Sequence, residues 1–395
     1  MRKIYLDHSA TTAVHPEVLE TMLPYFAEHF GNPSSTHSWG REAKVAVEQC
    51  REKIASFFGA SAKEIFFTSG GTESDNLAVK GAAWANQNKG KHIITSQIEH
   101  HAILETCKYL SKQGFDITYV PVDKYGLIDP EDVKKAIKPN TILVSIMHIN
   151  NEMGAIEPIE EIGKIVREKG IYFHTDAVQS AGKLPIDANK LNVDMFSLSA
   201  HKIYGPKGVG LLYIRQGTKI TPLAHGGQHE RGKRAGTENV SGIVGLSKAI
   251  EISHRDMEEY NKKMKFLADS FYKKLAEKIA DISLNGHPTK RYCGILNISF
   301  KGVEGESIIL SSDMKGIAIS TGSACSSGTL EPSHVLAAMG VPPELAQGSI
   351  RFSFGRENSS EDIDYVVDVL SEVVNRLRAM SPIYQVDKSC DTSRE

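Results

Sequence analysis

Several short stretches of this chain carry side chains whose types and spacing could do chemistry. Ser199-Ala200-His201-Lys202 follows the apolar run Met195 to Leu198 and leads into a Gly205-Pro206 turn. A lysine held at the end of a buried strand can lose its charge to desolvation, and its neutral amine then adds to a carbonyl to form a Schiff base. Taken alone, the same stretch also reads as a solvated turn lysine. His174-Thr175-Asp176 ends another apolar run. Strand alternation puts His174 and Asp176 on one face at the carboxyl edge, where open α/β sheets bind ligands. A carboxylate there needs a cation or N–H donors to stay ionised, although Asp176 could equally cap the next helix. Ser69-Gly70-Gly71-Thr72-Glu73 joins a strand to a helix. Small residues let N–H groups approach an anion at the positive helix end, so this is a candidate phosphate cradle as well as a plain tight turn. It lacks the Gly-Lys-Ser/Thr element of a P-loop.

Three further stretches add to these. Glu99-His100-His101 brings an imidazole to the same sheet edge; adjacent histidines diverge and no third ligand follows, so no metal site is expected. Cys325 lies in Ser320-Thr321-Gly322-Ser323-Ala324-Cys325-Ser326-Ser327-Gly328, a run of small polar residues that suggests a mobile loop with an accessible thiol. Ser349-Ile350-Arg351-Phe352-Ser353-Phe354 alternates, with Ile350, Phe352 and Phe354 inward and Arg351 opposite, either solvated or fixed for bidentate capture of a carboxylate.

The elements that must position these groups follow from periodicity. After a short extended arm at 1–14, helices are predicted over 17–30 and 40–58. Seven strands follow, at 65–67, 92–95, 117–120, 142–146, 171–174, 195–198 and 210–214, mostly separated by helices such as 157–169. This is a mainly parallel α/β sheet, with the last two strands close enough to pair antiparallel. A Gly-rich basic loop at 226–237 precedes a small-residue helix from Val240, and a separate polar helix over 255–279 reads as a connector. The remainder alternates with fewer strands (294–300, 316–320, 349–354). Residues 15–258 are therefore expected to form a large cofactor-binding domain, and 1–14 with 259–395 a smaller α+β domain carrying the cysteine loop.

The totals narrow the function classes. With 46 Lys and Arg against 48 Asp and Glu, the formal charge of −2 gives no global field for nucleic acid or an anionic membrane. No apolar run approaches the roughly 20 residues of a membrane helix, and the first residues lack a signal peptide's apolar stretch, so a cytoplasmic protein is expected. Five scattered cysteines without a C-x-x-C pair exclude a disulfide framework. Cys50 and Cys107, on amphipathic helices, have an inert setting.

A phosphate cradle, a histidine and a carboxylate on one sheet edge, a lysine beyond them and an arginine in a second domain describe a pyridoxal phosphate site. Here the chain resembles the cysteine desulfurases of the NifS/IscS type, within the aminotransferase-like fold type I class. The resemblance runs from Tyr5-Leu6-Asp7 and Ala10-Thr11-Thr12 through Gly31-Asn32-Pro33, Thr72-Glu73-Ser74-Asp75-Asn76, Asn150-Asn151-Glu152, His174 to Gln179 and Ser199 to Lys202, to Gly322-Ser323-Ala324-Cys325 and Arg351. It implies that Lys202 carries pyridoxal 5'-phosphate and moves the substrate Cα proton. Asp176 pairs with the ring nitrogen, His100 stacks on the ring and Gln179 contacts the ring oxygen. Thr72, Ser199 and His201 bind the phosphate, and Thr237 reaches the phosphate of the neighbouring subunit in a homodimer. Asn151 and Arg351 hold the carboxylate of L-cysteine, and Cys325 takes the sulfur as a persulfide for an iron–sulfur scaffold or sulfur-carrier protein. The residues around Cys325 match the group with a long mobile loop. A selenocysteine lyase, or a desulfurase serving tRNA thiolation, would use the same residues around the cofactor; a binding protein on a retired enzyme fold would not keep Lys202, Asp176 and Cys325 together.

Overall fold

The computed structural model describes residues 2–322, 333–381 and 384. Cys325 and Cys390 lie outside the described residues, as does the segment of the expected cysteine loop from 323 onward.

A short strand, β1 (Ile4–Tyr5), leads to α1 (Pro16–Met22) and α2 (Pro24–Ala27), where the sequence predicts one helix. Pro24 is the reason: without an N–H it cannot continue the ladder, but it suits the first position of a new helix. Next, α3 (Ser38–Phe57) buries Ala43, Val47 and Ile54 on one face, as the spacing requires.

The central sheet follows as β2 (Ile65–Thr68), α4 (Gly71–Asn86), β3 (His92–Ser96), α5 (His101–Ser111), β4 (Asp116–Val120), α6 (Pro130–Ala136), β5 (Thr141–Ser145), α7 (Ile159–Glu168), β6 (Tyr172–Asp176), β7 (Met195–Ser199) and β8 (Gly210–Ile214). Its strand order is β2-β8-β7-β6-β5-β3-β4. Pairs from β4 across to β7 are parallel, while β8 runs against both β7 and β2. The expected seven strands and the antiparallel last pair are thus present. Nearly every residue of β2, β3, β5, β6, β7 and β8 is buried, because helices cover both faces.

One long helix, α8 (Val240–Lys278), replaces the two helices read from the sequence. No Gly or Pro interrupts Ser253-His254-Arg255-Asp256, so nothing stops the ladder; the change of composition marks a change of packing partner instead. Ile243, Leu246 and Ile250 join the core beneath the seven-stranded sheet, and Met264, Leu267, Phe271 and Leu275 join a second core. The expected boundary at 258/259 falls inside this helix, between the two sets.

The second core is built from β9 (Ile282–Asn285), β10 (Ile295–Phe300), α9 (Gly305–Asp313), β11 (Ile317–Ala318), β12 (Ser349–Ser353) and α12 (Ser360–Met380), whereas the intervening α10 (His334–Ala338) and α11 (Pro343–Gln347) pack Val335, Leu336 and Ala346 against Ile98, Met147 and Met153. Strands β12, β10 and β9 form an antiparallel sheet, and β1 pairs with β11 in parallel, so Ile4 and Leu6 belong to this core. This return of the N-terminal arm lays Asp7 beside Ser353 and carries Ser9 and Ala10 towards the end of β7.

Candidate active site

At the carboxyl edge of the large sheet, facing β12, lies a cavity of about 300 Å³. Thr72, His100, Asn151, Asp176, Gln179, Ser199, His201, Lys202 and Arg351 all line it, so the structure brings these predicted residues together. Hollows of about 620 and 730 Å³ elsewhere hold none of them. Thr237 is exposed and does not line this cavity.

Lys202 ends a tight helical turn, Ala200–Lys202, directly after β7. Its Nζ donates to the backbone carbonyls of Ser9 at 2.5 Å and Ala10 at 2.8 Å. The arm is stitched to this turn by Thr12, whose N–H and hydroxyl both donate to the His201 carbonyl and whose Oγ1 accepts from the Tyr204 N–H.

The candidate anion cradle lies at Gly70 and the first turn of α4. Gly70 has φ 153° and ψ −175°, a conformation that favours glycine. A Cβ on Gly71 would come within 2.8 Å of Val178 Cγ2, so small residues here are required by packing as well as by access. The rim is fixed by Glu73, which accepts from the Ser69 N–H at 2.8 Å and pairs with Arg234 at 2.9 Å. Ser199 and His201 face the same opening, the latter with Nδ1 3.1 Å from Thr11 Oγ1. Burial and the neighbouring Lys202 and Lys207 lower His201 to about 4, so without an anion it is neutral at pH 7.

Asp176 ends β6, where its Oδ1 accepts from the Val178 N–H at 2.9 Å. Burial raises its carboxyl to about 6, against the opposing effects of that N–H and of Lys202. Asp75 on α4 is also buried; desolvation and Asp176 push its carboxyl up, and its Oδ1 accepts no hydrogen bond. Two desolvated carboxyls so close together favour a cationic guest. His174, expected on the same edge, is instead locked inside the sheet between Ser145 Oγ and Ser197 Oγ, both at 2.9 Å, and burial depresses it to about 3. Adjacent strands on both sides fill the face that alternation left open.

His100 caps α5: its Nδ1 accepts from the Ala102 N–H at 3.1 Å, which leaves the ring proton on Nε2. Burial, then Lys202, lowers it to about 4. Opposite, Arg351 is buried on β12, with Nη2 2.7 Å from Asp7 Oδ1 and Nη1 donating to the Asn151 carbonyl at 3.0 Å. Its Nε is buried without a hydrogen-bond partner, and the guanidinium lines the cavity. The Asp7–Arg351 pair was not legible in the sequence, because nothing local links positions so far apart. Gln179 donates from Nε2 to the Ser9 carbonyl at 2.9 Å and accepts from Lys183 Nζ at 2.7 Å. Lys183 was overlooked; its spacing from Gln179, one helical turn, was the available signal.

These residues suit a guest with a phosphate, a basic ring nitrogen and a carbonyl: an anion cradle, a desolvated carboxyl and an amine share one cavity. Such a fold and site define a pyridoxal-phosphate type of enzyme, and the chain belongs to the aminotransferase class-V family, whose model matches residues 4–366. It is 56% identical over 384 residues to the cysteine desulfurase IscS of Dictyoglomus turgidum, covering 97% of this chain and 98% of that one. The cysteine desulfurase IscS of Methanosarcina thermophila is also 56% identical, over 97% of this chain and 94% of its own. Among solved structures, a NifS-like protein superposes with a TM-score of 0.90 at 42% identity, covering 95% of this chain and all of that one. A structure titled SspA in complex with cysteine gives 0.81 at 40% identity, over 89% and 99% of the two chains. At these identities over nearly full length, the activity of the chain is that of a cysteine desulfurase.

Proposed function

We propose that the chain holds pyridoxal 5'-phosphate in the 300 Å³ cavity, converts L-cysteine to L-alanine there, and takes the sulfur as a persulfide on Cys325. The observation that carries this reading is the convergence of Lys202, Asp176 and Arg351 on that cavity. Thr72, Ser199 and His201 would hold the phosphate, Asp176 the ring nitrogen, Gln179 the ring oxygen and Lys202 the carbonyl carbon. Bound there, the group supplies an electron sink for the substrate carbon skeleton.

The chain's own residues do the rest. The Arg351 guanidinium and the Asn151 side chain bind the substrate carboxylate, while Asp7 keeps the guanidinium oriented. Lys202 Nζ moves the Cα proton. Neutral His100 presents Nε2–H as a hydrogen-bond donor. The Cys325 thiolate forms an S–S bond to the substrate sulfur as the substrate Cβ–S bond breaks; the electron pair stays on the carbon side, which is protonated to alanine. Cys50, Cys107 and Cys293 are poor candidates for this role, because burial raises each thiol, Cys107 to about 12.

The outer sulfur then passes to an iron–sulfur scaffold or sulfur-carrier protein. The active form is a homodimer in which Thr237 serves the neighbouring subunit's phosphate. Support comes from Thr237 lying exposed outside its own cavity, and from the exposed apolar side chains Leu19, Leu23, Phe26, Phe30 and Trp39. Among the described residues no helix is long and apolar enough to cross a membrane, in keeping with a cytoplasmic site of action.

The test is to mix the protein with L-cysteine, quantify alanine, and locate by mass spectrometry the peptide that gains one sulfur atom. Lys202→Ala should form neither product. Cys325→Ala should keep the cofactor and form no persulfide; normal sulfide release by that variant with dithiothreitol present would remove Cys325 from the mechanism.

A further inference from the structure

Cys325 follows Gly322 by three residues and precedes Ser333 by eight, and both of these flanking residues are held in place. On the N-terminal side, Ser320 pairs with Arg351 through the backbone, its N–H donating at 3.4 Å and its carbonyl accepting at 2.6 Å. Gly322 lines the active-site cavity at φ 90°. Its N–H donates to Ser320 Oγ at 3.1 Å, and its carbonyl accepts from Arg351 Nη1 at 3.4 Å. On the C-terminal side, Ser333 opens α10, whose Val335 and Leu336 pack on Ile98, Met147 and Met153. The two ends therefore rest on different parts of the molecule, Gly322 beyond β11 of the second core and Ser333 against loops of the large sheet.

Glu152 joins them. Its Oε2 accepts from the Ser333 hydroxyl at 2.5 Å, while Ser333 Oγ accepts from the Val335 and Leu336 N–H groups. The same carboxyl oxygen faces Gly322, where an added Cβ would lie 3.3 Å from it. Glu152 is buried, and its own N–H donates to Asn150 Oδ1 at 2.8 Å. A buried carboxyl is costly to keep, and filling a junction does not require one. The preceding residue, Asn151, shares Arg351 Nη1 with Gly322 through its carbonyl, so the guanidinium beside the cavity touches this junction too.

An extended chain spans at most about 3.6 Å per residue, so three residues tie Cys325 to within about 11 Å of Gly322, whereas eight leave it far more latitude from Ser333. Where Gly322 is held thus limits where the thiol can meet the substrate sulfur. We propose that Glu152 is a positioning residue for sulfur transfer: by accepting from Ser333 and packing against Gly322 it fixes the spacing of the two ends between which Cys325 is carried. This rests on the reading of Cys325 as the sulfur acceptor.

In the experiment, holoenzyme is mixed with saturating L-cysteine, quenched at intervals, and the Cys325 peptide with one added sulfur is followed by mass spectrometry. Glu152→Ala should slow its formation at least about tenfold, since a misplacement of about 1 Å can cost roughly a hundredfold. Ser333→Ala should slow it at least as much, and the double variant no further than Ser333→Ala alone, because both remove one link. Glu152→Gln, which keeps an acceptor for Ser333, should stay within about threefold of the parent. Binding is read separately in a Cys325→Ala background, from the change L-cysteine makes in the cofactor's absorption. There Glu152→Ala should leave the half-saturating concentration within about twofold. A parent-like rate in Glu152→Ala, with parent-like melting and cofactor content, would overturn the proposal, as would a loss of rate matched by an equal loss of binding. If Glu152→Ala does not fold, Ser333→Ala is judged by the same two criteria. Failure of the Cys325 assignment would show separately, as the added sulfur appearing on another peptide of the parent.

Discussion

Replacing Arg351 by lysine keeps one positive charge and removes the fork. In the structure, Nη2 pairs with Asp7 at 2.7 Å and Nη1 donates to the Asn151 carbonyl at 3.0 Å, which fixes the plane of the guanidinium beside the cavity. A lysine ammonium is a point charge on a flexible stem; it cannot serve Asp7, the Asn151 carbonyl and a substrate carboxylate in the geometry of the planar group. What is lost is one charge-assisted hydrogen bond to the substrate, about 1.5–3 kcal/mol. At about 1.4 kcal/mol per factor of ten, KM for L-cysteine should rise roughly 10- to 150-fold. The turnover number should fall far less, because neither Lys202 nor Cys325 is touched. Steady-state alanine formation over a range of L-cysteine, on a variant with parent-like cofactor content, separates the two parameters. A folded, loaded Arg351→Lys with KM within twofold of the parent would refute the assignment of Arg351 to the carboxylate.

Other substitutions probe the frame around the site. Glu230 is buried, sits at φ 45°, and accepts from Arg51 at 2.8 and 2.9 Å and from the Phe67 N–H at 2.9 Å. Glu230→Ala should destabilise by about 3–5 kcal/mol in urea unfolding by stranding the buried Arg51 charge, and adding Arg51→Met should recover a large part of that loss. Glu157 Oε1 is buried without a partner, and burial raises this carboxyl to about 8. Its folded value lies above the unfolded one, so its contribution to stability is fully present below about pH 4.5 and is lost as pH rises towards 8. Glu157→Gln should therefore match the parent near pH 4.5 and gain on it by a few kcal/mol, to order of magnitude, at pH 8. Urea midpoints at the two pH values check this, and a constant gap would contradict it.

Four of the site's side chains were legible in the sequence because they sit at or just beyond the end of a strand or the start of a helix. Apolar alternation locates strand ends, and ligands gather at the carboxyl edge of such sheets. Lys202, Asp176, Thr72 and His100 could thus be placed on one edge from local pattern, and the seven strands followed from the same signal. Locally, the sequence was misleading where a break depended on a single residue, as at Pro24, or where a helix kept its ladder while changing partners, as in α8. Tertiary structure alone decided the charges. It closed His174 inside the sheet, set Asp75 beside Asp176 and brought Asp7 to Arg351. Periodicity reports which face of an element is apolar, whereas a proton's affinity depends on desolvation and on charges delivered by segments remote in the chain.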